Sequence, residues 1–237
     1  MPGSETPVDL VVFDLDGTLV QFDFTAEGME RVRNALQDVF DEVGIEREFK
    51  PLLTELEDAL DDVSRSTDTS TAARIRRRAF QQISEMELDA VSRQYVYKGS
   101  QPVLEEVASS DATLAVATNN TRDAALRSLE DAGLPEPDYL VAVDDIGRPK
   151  PARDMIERLF SRCDSTPDAM VMVGDRPSDA TSASRACSGT ETDAVTVLLQ
   201  RDEPGAADHS SIDHTITSLS DLLDVIRLAD ESGDATL

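Results

Sequence analysis

The fold is decided by a stretch near the start of the chain, Val8-Asp-Leu-Val-Val-Phe-Asp14-Leu-Asp16-Gly17-Thr18. Its apolar run, rich in β-branched residues, is typical of a buried strand. Side chains alternate between the faces of a strand, so Asp14 and Asp16 can point the same way. Gly17 allows a sharp turn just beyond them. Two carboxylates aimed at one spot repel each other, so the pattern indicates a bound cation or a protonated carboxyl group, and hence an active site.

Further apolar runs alternate with helical patterns along the rest of the chain. The predicted strands are Val8–Phe13, Thr113–Thr118, Tyr139–Val143, Ala169–Val173, Ala194–Leu199 and Asp213–Ile216. The predicted helices between and after the later strands are Thr121–Ala132, Ala152–Cys163, Ser178–Cys187 and Ser218–Asp230. Regular alternation of strands and helices predicts an α/β fold, with a Rossmann-like parallel sheet flanked by helices.

The segment from residue 21 to residue 95 interrupts this alternation. It contains no convincing strand, and its apolar spacing predicts four helices and one polar loop: Ala26–Val43, Pro51–Val63, Ala72–Ile83, Leu88–Tyr95 and the loop Ser64–Thr71. We therefore predict a separate all-helical cap domain at 21–95, lying over the carboxyl edge of the sheet. The α/β core domain is then expected to comprise residues 1–20 and 96–237.

The composition is strongly acidic. The 237 residues include 48 acidic and 22 basic side chains, which gives a formal net charge of −26. Such a charge repels nucleic acid and anionic membranes, so we expect neither as a partner. The acidic excess is spread along the chain and resembles that of proteins from salt-accumulating archaea, in which high salt screens self-repulsion. An acidic protein from an organism without salt accumulation is the alternative.

The cysteines and the terminal sequence favour a cytoplasmic location. Cys163 and Cys187 have no Cys or His neighbour at metal-binding spacing, so we expect buried or partly buried thiols in a reducing compartment. The sequence shows no stretch that resembles a signal peptide and no apolar run long enough to span a bilayer. Nothing in the pattern indicates an oligomeric state.

Polar residues follow four of the predicted strands. They are Asp14 and Asp16, then Thr118-Asn119-Asn120, then Gly147-Arg-Pro-Lys150-Pro151, and finally Gly174-Asp175-Arg-Pro-Ser-Asp179. Open parallel sheets bind ligands outside the carboxyl ends of their strands, so these groups are expected to converge. Carboxylates, a hydroxyl, amides and one lysine at a single edge suit a divalent cation with a phosphoryl group beside it.

The order of these motifs resembles a known family. Asp-Leu-Asp-Gly-Thr-Leu, Thr-Asn-Asn, Lys-Pro and Gly-Asp-x-x-x-Asp are similar to the four motifs of the haloacid dehalogenase-like (HAD) superfamily of hydrolases, over about residues 8 to 190. The gap between the first two motifs is similar to that of members with a helical cap inserted after the first strand. The resemblance implies a phosphoglycolate phosphatase-like enzyme that uses Mg²⁺ to hydrolyse a small phosphorylated metabolite.

The resemblance also implies a role for each motif carboxylate. Asp14 would be the nucleophile that forms an aspartyl-phosphate. Asp16 would act as general acid towards the leaving group and then as base towards water. Asp14, the backbone carbonyl of Asp16 and Asp175 would bind Mg²⁺. Asp179 would either bind the metal or orient its ligands, and a structural role in the helix turn stays open.

The remaining motif residues would bind the phosphoryl group. The resemblance implies that Thr118 and the backbone amide of Asn119 bind phosphoryl oxygens, and that Lys150 neutralises charge in the transition state. The alternatives are that Thr118 caps the next helix and that Lys150 is a solvated surface residue.

Outside the motifs, three arginines share one helical face: Arg74, Arg77 and Arg78. They form either a salt-bridged surface or a cluster that attracts an anionic substrate.

Two other functions stay open. A sugar-phosphate mutase would have the same active site and would differ only in using a sugar hydroxyl, in place of water, as the phosphoryl acceptor. A catalytically idle binding or regulatory protein could retain the fold, although the presence of every proposed catalytic side chain argues against it. Dehalogenation is disfavoured, because it requires neither an acid at Asp16 nor magnesium.

Overall fold

The structure, a computed structural model, describes residues 8–201 and 210–231. The chain divides into two compact units, one formed by Met1–Gln21 together with Tyr95–Leu237 and the other by Phe22–Gln94. These boundaries differ by one residue from those expected for the core and the cap. Within the described residues, no helix is both long and apolar enough to cross a membrane.

Strands and helices follow one another along the described residues. The strands are β1 (Leu10–Phe13), β2 (Val20–Gln21), β3 (Tyr95–Val96), β4 (Thr113–Ala117), β5 (Tyr139–Val141), β6 (Ala169–Gly174), β7 (Asp193–Leu199) and β8 (His214–Ile216). The helices are α1 (Ala26–Asp41), α2 (Leu52–Ser66), α3 (Thr69–Val91), α4 (Ser100–Ala108), α5 (Arg122–Ala132), α6 (Asp154–Phe160), α7 (Pro177–Cys187) and α8 (Leu222–Glu231). Short 3₁₀ turns lie at Val143–Asp145 and Leu219–Asp221.

The larger unit is built on a six-stranded sheet in the order β5-β4-β1-β6-β7-β8. All neighbouring strands in it pair in parallel, which confirms the predicted α/β class. The chain fills one side of β1 with β4 and β5, and then crosses to the other side with β6, β7 and β8. The topological switch point therefore lies at the carboxyl end of β1, where ligands of such sheets bind.

The strand β1 is buried on both faces. Leu10, Val11, Val12 and Phe13 are at most 1% exposed, which is the pattern of a central strand covered by helices on each side. On one face, apolar side chains of β1, β4 and β6 pack against α6 and α7. Cys187 belongs to this cluster. Both cysteines are free, and Cys163 is half-buried, so the predicted buried and partly buried thiols are confirmed.

The smaller unit consists of α1, α2 and α3. The separate helices predicted at Ala72–Ile83 and Leu88–Tyr95 are wrong, because α3 runs without interruption to Val91. The predicted arginine face is partly salt-bridged, since Arg74 and Arg78 both pair with Glu42.

The predicted loop Ser64–Thr71 is also wrong. Helix α2 continues through Ser66, and only two residues separate it from α3. Within α2, the hydroxyls of Ser64 and Ser66 donate to carbonyl oxygens one turn back, at 2.8 and 2.6 Å. The carboxylate of Asp68 then accepts the first free N–H groups of α3. Polar residues that suggest a loop thus serve as helix-internal and capping groups.

The sequence analysis did not predict the short strands β2 and β3 or the helix α4. Tyr95 and Val96 form β3, which pairs antiparallel with β2, so the helix predicted to end at Tyr95 is wrong there. The helix α4 begins four residues after the end of β3. A ladder of two residues on each side carries no detectable periodicity, and its partners are more than 70 residues apart in sequence.

Candidate active site

The first motif continues the central strand and then turns sharply. The N–H of Asp14 donates to the carbonyl oxygen of Val173 in β6 at 2.8 Å, so the ladder extends one residue past β1. Gly17 follows with a φ of 91°, a backbone conformation that residues with a side chain rarely adopt. A Cβ at this position would also collide with the carboxylate of Asp175. The glycine therefore permits both the turn and the close approach of a second carboxylate.

Three carboxylates from separate elements come together at this edge of the sheet. Asp14 follows β1, Asp175 follows β6, and Asp179 lies in the first turn of α7. One oxygen of each lies within 4.8 Å of the others. Asp14 and Asp179 are buried, and Asp175 is half-buried. The carboxylate of Asp16 is not a member of this group.

Lys150 lies between two of these carboxylates. Its Nζ lies 2.6 Å from Asp14 Oδ1 and 2.5 Å from Asp179 Oδ1, and it donates to the carbonyl oxygen of Ala117 at 2.8 Å. An ammonium group has three N–H donors, so all three are used. Only 6% of Lys150 is exposed. The alternative of a solvated surface lysine is therefore wrong.

The residues after β4 organise the loop around this lysine. The side chain of Asn119 binds the backbone of Lys150 twice, accepting its N–H at 2.9 Å and donating to its carbonyl oxygen at 3.3 Å. Thr118 is fully buried. Its hydroxyl donates to Asn120 Oδ1 at 2.8 Å and accepts the N–H of Asn120 at 3.1 Å. The N-cap of α5 is Thr121, so the reading of Thr118 as a helix cap is wrong.

The charges of this group are unbalanced. Burial, opposed by Lys150 and reinforced by Asp179, raises the pKa of Asp14 to about 7. Burial and the charge of Asp179 also raise the pKa of Asp175. Burial alone would lower the pKa of Lys150, but the charges of Asp14 and Asp179 outweigh it and raise that pKa. The lysine thus stays charged. Three carboxylates lie around this one buried ammonium group, and the exposed guanidinium of Arg176 approaches only Asp175, at 3.8 Å.

The donor set fits a divalent cation. Asp175 Oδ1 is buried and has no hydrogen-bond partner among the described residues. A buried carboxylate oxygen without a partner carries the full cost of its lost hydration. Mg²⁺ prefers carboxylate and carbonyl oxygens as ligands, and would both satisfy this oxygen and balance the excess negative charge. Asp14, Asp175 and Asp179 can therefore supply ligands for such an ion.

Asp16 has a different environment from the three clustered carboxylates. It is half-buried, and its Oδ1 accepts a hydrogen bond from Gln21 Nε2 at 3.3 Å. The hydroxyl of Tyr97 donates to Gln21 Oε1 at 2.8 Å, and the guanidinium of Arg201 lies 3.4 Å from the centroid of the Tyr97 ring. No motif pointed to these three residues. The only signal is the pairing of β2 with β3, which becomes visible in the folded chain.

Several known proteins are similar to this chain in sequence. The family model described as haloacid dehalogenase-like hydrolase matches residues 11–191. A phosphoglycolate phosphatase of Rhodospirillum rubrum is 30% identical over 188 residues, which cover 74% of this chain and 75% of the relative. A ribulose-1,5-bisphosphate 5-phosphatase of Halopiger xanaduensis is 31% identical over 128 residues, 52% of this chain. The chain spans only 53% of the length of this second relative.

A solved structure shows the same fold. The 2-haloacid dehalogenase of Pseudomonas syringae superposes with a TM-score of 0.55 at 25% identity, over 93% of this chain and 98% of that protein. The family model covers most of the chain, and its match includes the strand ends that carry all four motifs. The chain therefore belongs to the haloacid dehalogenase-like hydrolase family.

Proposed function

We propose that this protein is a Mg²⁺-dependent phosphatase that hydrolyses a small phosphorylated metabolite through an aspartyl-phosphate on Asp14. The observation that carries the proposal is the group of three carboxylates with one lysine and an unpartnered oxygen on Asp175. A dianionic phosphate approaches a carboxylate nucleophile only if positive charge offsets their repulsion. Mg²⁺ bound by Asp14, Asp175, Asp179 and the carbonyl oxygen of Asp16 would supply that charge.

The chemistry then divides between the two aspartates of the first motif. The carboxylate of Asp14 attacks phosphorus, the bond from phosphorus to the ester oxygen breaks, and Asp16 gives its proton to that oxygen. Asp16, now ionised, takes a proton from water, which attacks the phosphorus of the aspartyl-phosphate. The bond between phosphorus and the Asp14 oxygen breaks, inorganic phosphate leaves, and both carboxyl groups return to their starting states.

The other motif residues are proposed to hold the phosphoryl group. Lys150 offsets the negative charge of Asp14 and stabilises the charge that grows during transfer. Thr118 and the backbone N–H of Asn119 are proposed to bind phosphoryl oxygens. The hydroxyl of Thr118 has one proton, which it donates to Asn120 in this structure. Binding of a phosphoryl oxygen by Thr118 therefore requires this proton to turn away from Asn120.

The substrate class follows from the named relatives. Phosphoglycolate and ribulose 1,5-bisphosphate, the substrates in the relatives' names, are small anionic phosphate esters. We propose a substrate of this class, and phosphoglycolate is the first one to test. The helical unit Phe22–Gln94 is proposed to be the cap domain.

The decisive experiment measures phosphate release from p-nitrophenyl phosphate and from phosphoglycolate in molar KCl, with MgCl₂ or with EDTA. Turnover is expected only with Mg²⁺. Asp14→Asn should abolish turnover, and Asp16→Asn should lower it by about 10²-fold or more. Asp111→Asn, a change at an exposed carboxylate of the same unit, serves as the matched control and should be silent.

Three outcomes would contradict the proposal. Wild-type rates in Asp14→Asn would remove the assigned nucleophile. Metal-independent release of chloride from 2-chloropropionate, without phosphatase turnover, would show a dehalogenase, as the name of the Pseudomonas protein suggests. Conversion of a hexose 1-phosphate into another hexose phosphate, without release of inorganic phosphate, would show a mutase.

A further inference from the structure

Arg201 lies two residues after β7 and contacts the turn that follows the two motif aspartates. Its Nη1 donates to the carbonyl oxygen of Gly17, and its Nη2 donates to that of Thr18 at 2.5 Å. The same guanidinium stacks on the ring of Tyr97, 3.4 Å from the ring centroid. Arg201 is half-buried. A planar guanidinium can donate hydrogen bonds in its plane and stack through its face at the same time. Arg201 therefore holds both the turn at Gly17 and the ring of Tyr97.

Hydrogen bonds connect Tyr97 to the carboxyl group of Asp16. Its hydroxyl donates to Gln21 Oε1 at 2.8 Å, and Gln21 Nε2 donates to Asp16 Oδ1 at 3.3 Å. An amide has one accepting end and one donating end, while a carboxylate oxygen only accepts. The chain of bonds therefore runs in one direction, from Tyr97 through Gln21 to Asp16.

The backbone supports the same arrangement. Gln21 is the last residue of β2, and its partner across the ladder is Tyr95. The N–H of Tyr97 donates to the carbonyl oxygen of Leu19 at 3.1 Å. This backbone pairing aligns the segments that carry Gln21 and Tyr97, and so brings their side chains within hydrogen-bonding distance. Gln21 is exposed, so water competes for its amide, and the bond from Tyr97 limits the orientations that this amide can take.

We propose that Arg201, Tyr97 and Gln21 are positioning residues for the general acid Asp16. Gln21 holds Oδ1 as an acceptor, so the transferable proton is carried on Oδ2. When the leaving oxygen takes this proton, the O–H bond on Asp16 breaks, the phosphorus–oxygen bond breaks, and Asp16 becomes a carboxylate. The bond from Gln21 strengthens at that moment, because hydrogen bonds to ionised acceptors are stronger. This inference rests on the role of Asp16 in the proposed function.

The dependence of the rate on the leaving group tests the inference directly. p-Nitrophenolate leaves without a proton, whereas the alkoxide released from 2-phosphoglycolate needs one. Tyr97→Phe keeps the ring under Arg201 and removes only the hydroxyl. We expect it to lower kcat for 2-phosphoglycolate about tenfold, the scale of one hydrogen bond to a developing charge. The kcat for p-nitrophenyl phosphate should change less than about twofold, and KM should be unaffected in both cases.

Two further variants extend the test. Arg201→Met removes the donors and should show the same selective loss, while Arg201→Lys, which keeps one charged donor, should restore part of the rate. Tyr95→Phe is the matched control, because Tyr95 packs edge-on against Tyr97 but lies outside the chain of bonds that leads to Asp16. It should leave both rates at wild-type values. Melting temperatures of all variants would verify that they are folded.

The outcomes separate this inference from the proposed function. An equal loss of kcat with both esters, or a rise in KM alone, would show that the three residues do not position Asp16 for proton transfer to the leaving group. An unchanged leaving-group dependence in Tyr97→Phe, with an active wild-type enzyme, refutes only the inference. No turnover of either ester by the wild-type protein refutes the proposed function and the inference together.

Discussion

Asp175 is the clustered carboxylate that carries an unsatisfied oxygen. Its Oδ1 is buried without a partner, and burial together with Asp179 raises its pKa. We expect Asp175→Asn to leave the melting temperature in EDTA unchanged or higher, because one of three like charges is removed. The stabilisation of the wild-type protein by Mg²⁺, about 2.7 kcal/mol at a hundredfold excess over Kd, should be lost. Differential scanning fluorimetry with EDTA or MgCl₂ measures both effects.

The control for this prediction is Asp111→Asn, which changes the net charge equally at an exposed position. It should keep the full response to Mg²⁺. If Asp175→Asn responds to Mg²⁺ as the wild-type protein does, the three carboxylates are not the cation site.

Asn119 tests whether the backbone of Lys150 must be held in place. Its side chain makes two hydrogen bonds to that backbone, and Lys150 contacts the proposed nucleophile. We expect Asn119→Ala to lower kcat about 30-fold, since each of the two lost bonds is worth about 1 kcal/mol, with little change in KM. Steady-state kinetics with p-nitrophenyl phosphate would measure this. Asn34→Ala, at an exposed asparagine of α1, is the control, and equal rates in both variants would exclude a positioning role.

Individual residues were predictable where a motif ends a strand. Asp14 and Asp175 come together because the carboxyl ends of β1 and β6 are adjacent in the sheet. The residues that position the motif residues were not predictable. They act through hydrogen bonds from side chains to the backbone, or through stacking between residues far apart in sequence. The sequence analysis assigns a role to the backbone N–H of Asn119. It gives no sign that the side chain of Asn119 binds the backbone of Lys150. Arg201 lies 184 positions from the Gly17 carbonyl that it contacts.

At the scale of elements, Asp145 connects β5 to α5 and to the segment after α6. Its carboxylate accepts the N–H of Ala142 at 3.0 Å and pairs with Arg122 and, at 3.5 Å, with Arg162. Both arginines also donate to the carbonyl oxygen of Leu140 in β5. Burial acts to raise the pKa of Asp145, but the hydrogen bonds from Arg122 and Ala142 and the two arginine charges lower it overall.

This lowered pKa predicts how the contribution of Asp145 depends on pH. A carboxyl group with a depressed pKa stabilises the fold above its unfolded pKa of about 3.9, and the stability is lost as pH falls through the folded pKa. Asp145→Asn should therefore destabilise the protein by about 2 kcal/mol at neutral pH, and the difference should shrink below about pH 4. Urea unfolding at both pH values measures this. Glu130→Gln, at an exposed site on α5, should show no such difference; a constant effect of Asp145→Asn at both pH values would contradict the assignment.

The elements of the sheet were easier to predict than those of the insert. Each sheet strand lies within two residues of its predicted bounds, because a buried parallel strand is a continuous apolar run. In the insert, serines and threonines around Ser66 resembled a loop. Their hydroxyls instead donate hydrogen bonds to carbonyl oxygens of α2. Whether such bonds form depends on local geometry and not on composition. The pairing of β2 with β3 gave no periodic signal because each strand has only two residues.

At the scale of the whole molecule, the formal charge of −26 is the dominant feature. The alternation of strands and helices was sufficient to predict the fold, but the charge is independent of the fold and acts through self-repulsion. The excess arises from 48 acidic residues spread along the chain, against 22 basic ones. The Debye length falls from about 10 Å at 0.1 M salt to about 3 Å at 1 M. We therefore propose that the protein requires molar salt for full stability.

The prediction is a melting temperature that rises by about 10 °C between dilute and molar KCl, which corresponds to a few kcal/mol for a chain of this length. The measurement belongs in EDTA, so that binding of Mg²⁺ to the three carboxylates does not contribute. Sucrose, which is excluded from protein surfaces but carries no charge, is the control: it should stabilise less than KCl if screening is the cause. Lowering the pH to about 4.5 neutralises part of the carboxylates and should reduce the response to KCl. A melting temperature that does not depend on KCl would show that the acidic surface is tolerated without screening, as in an ordinary acidic protein.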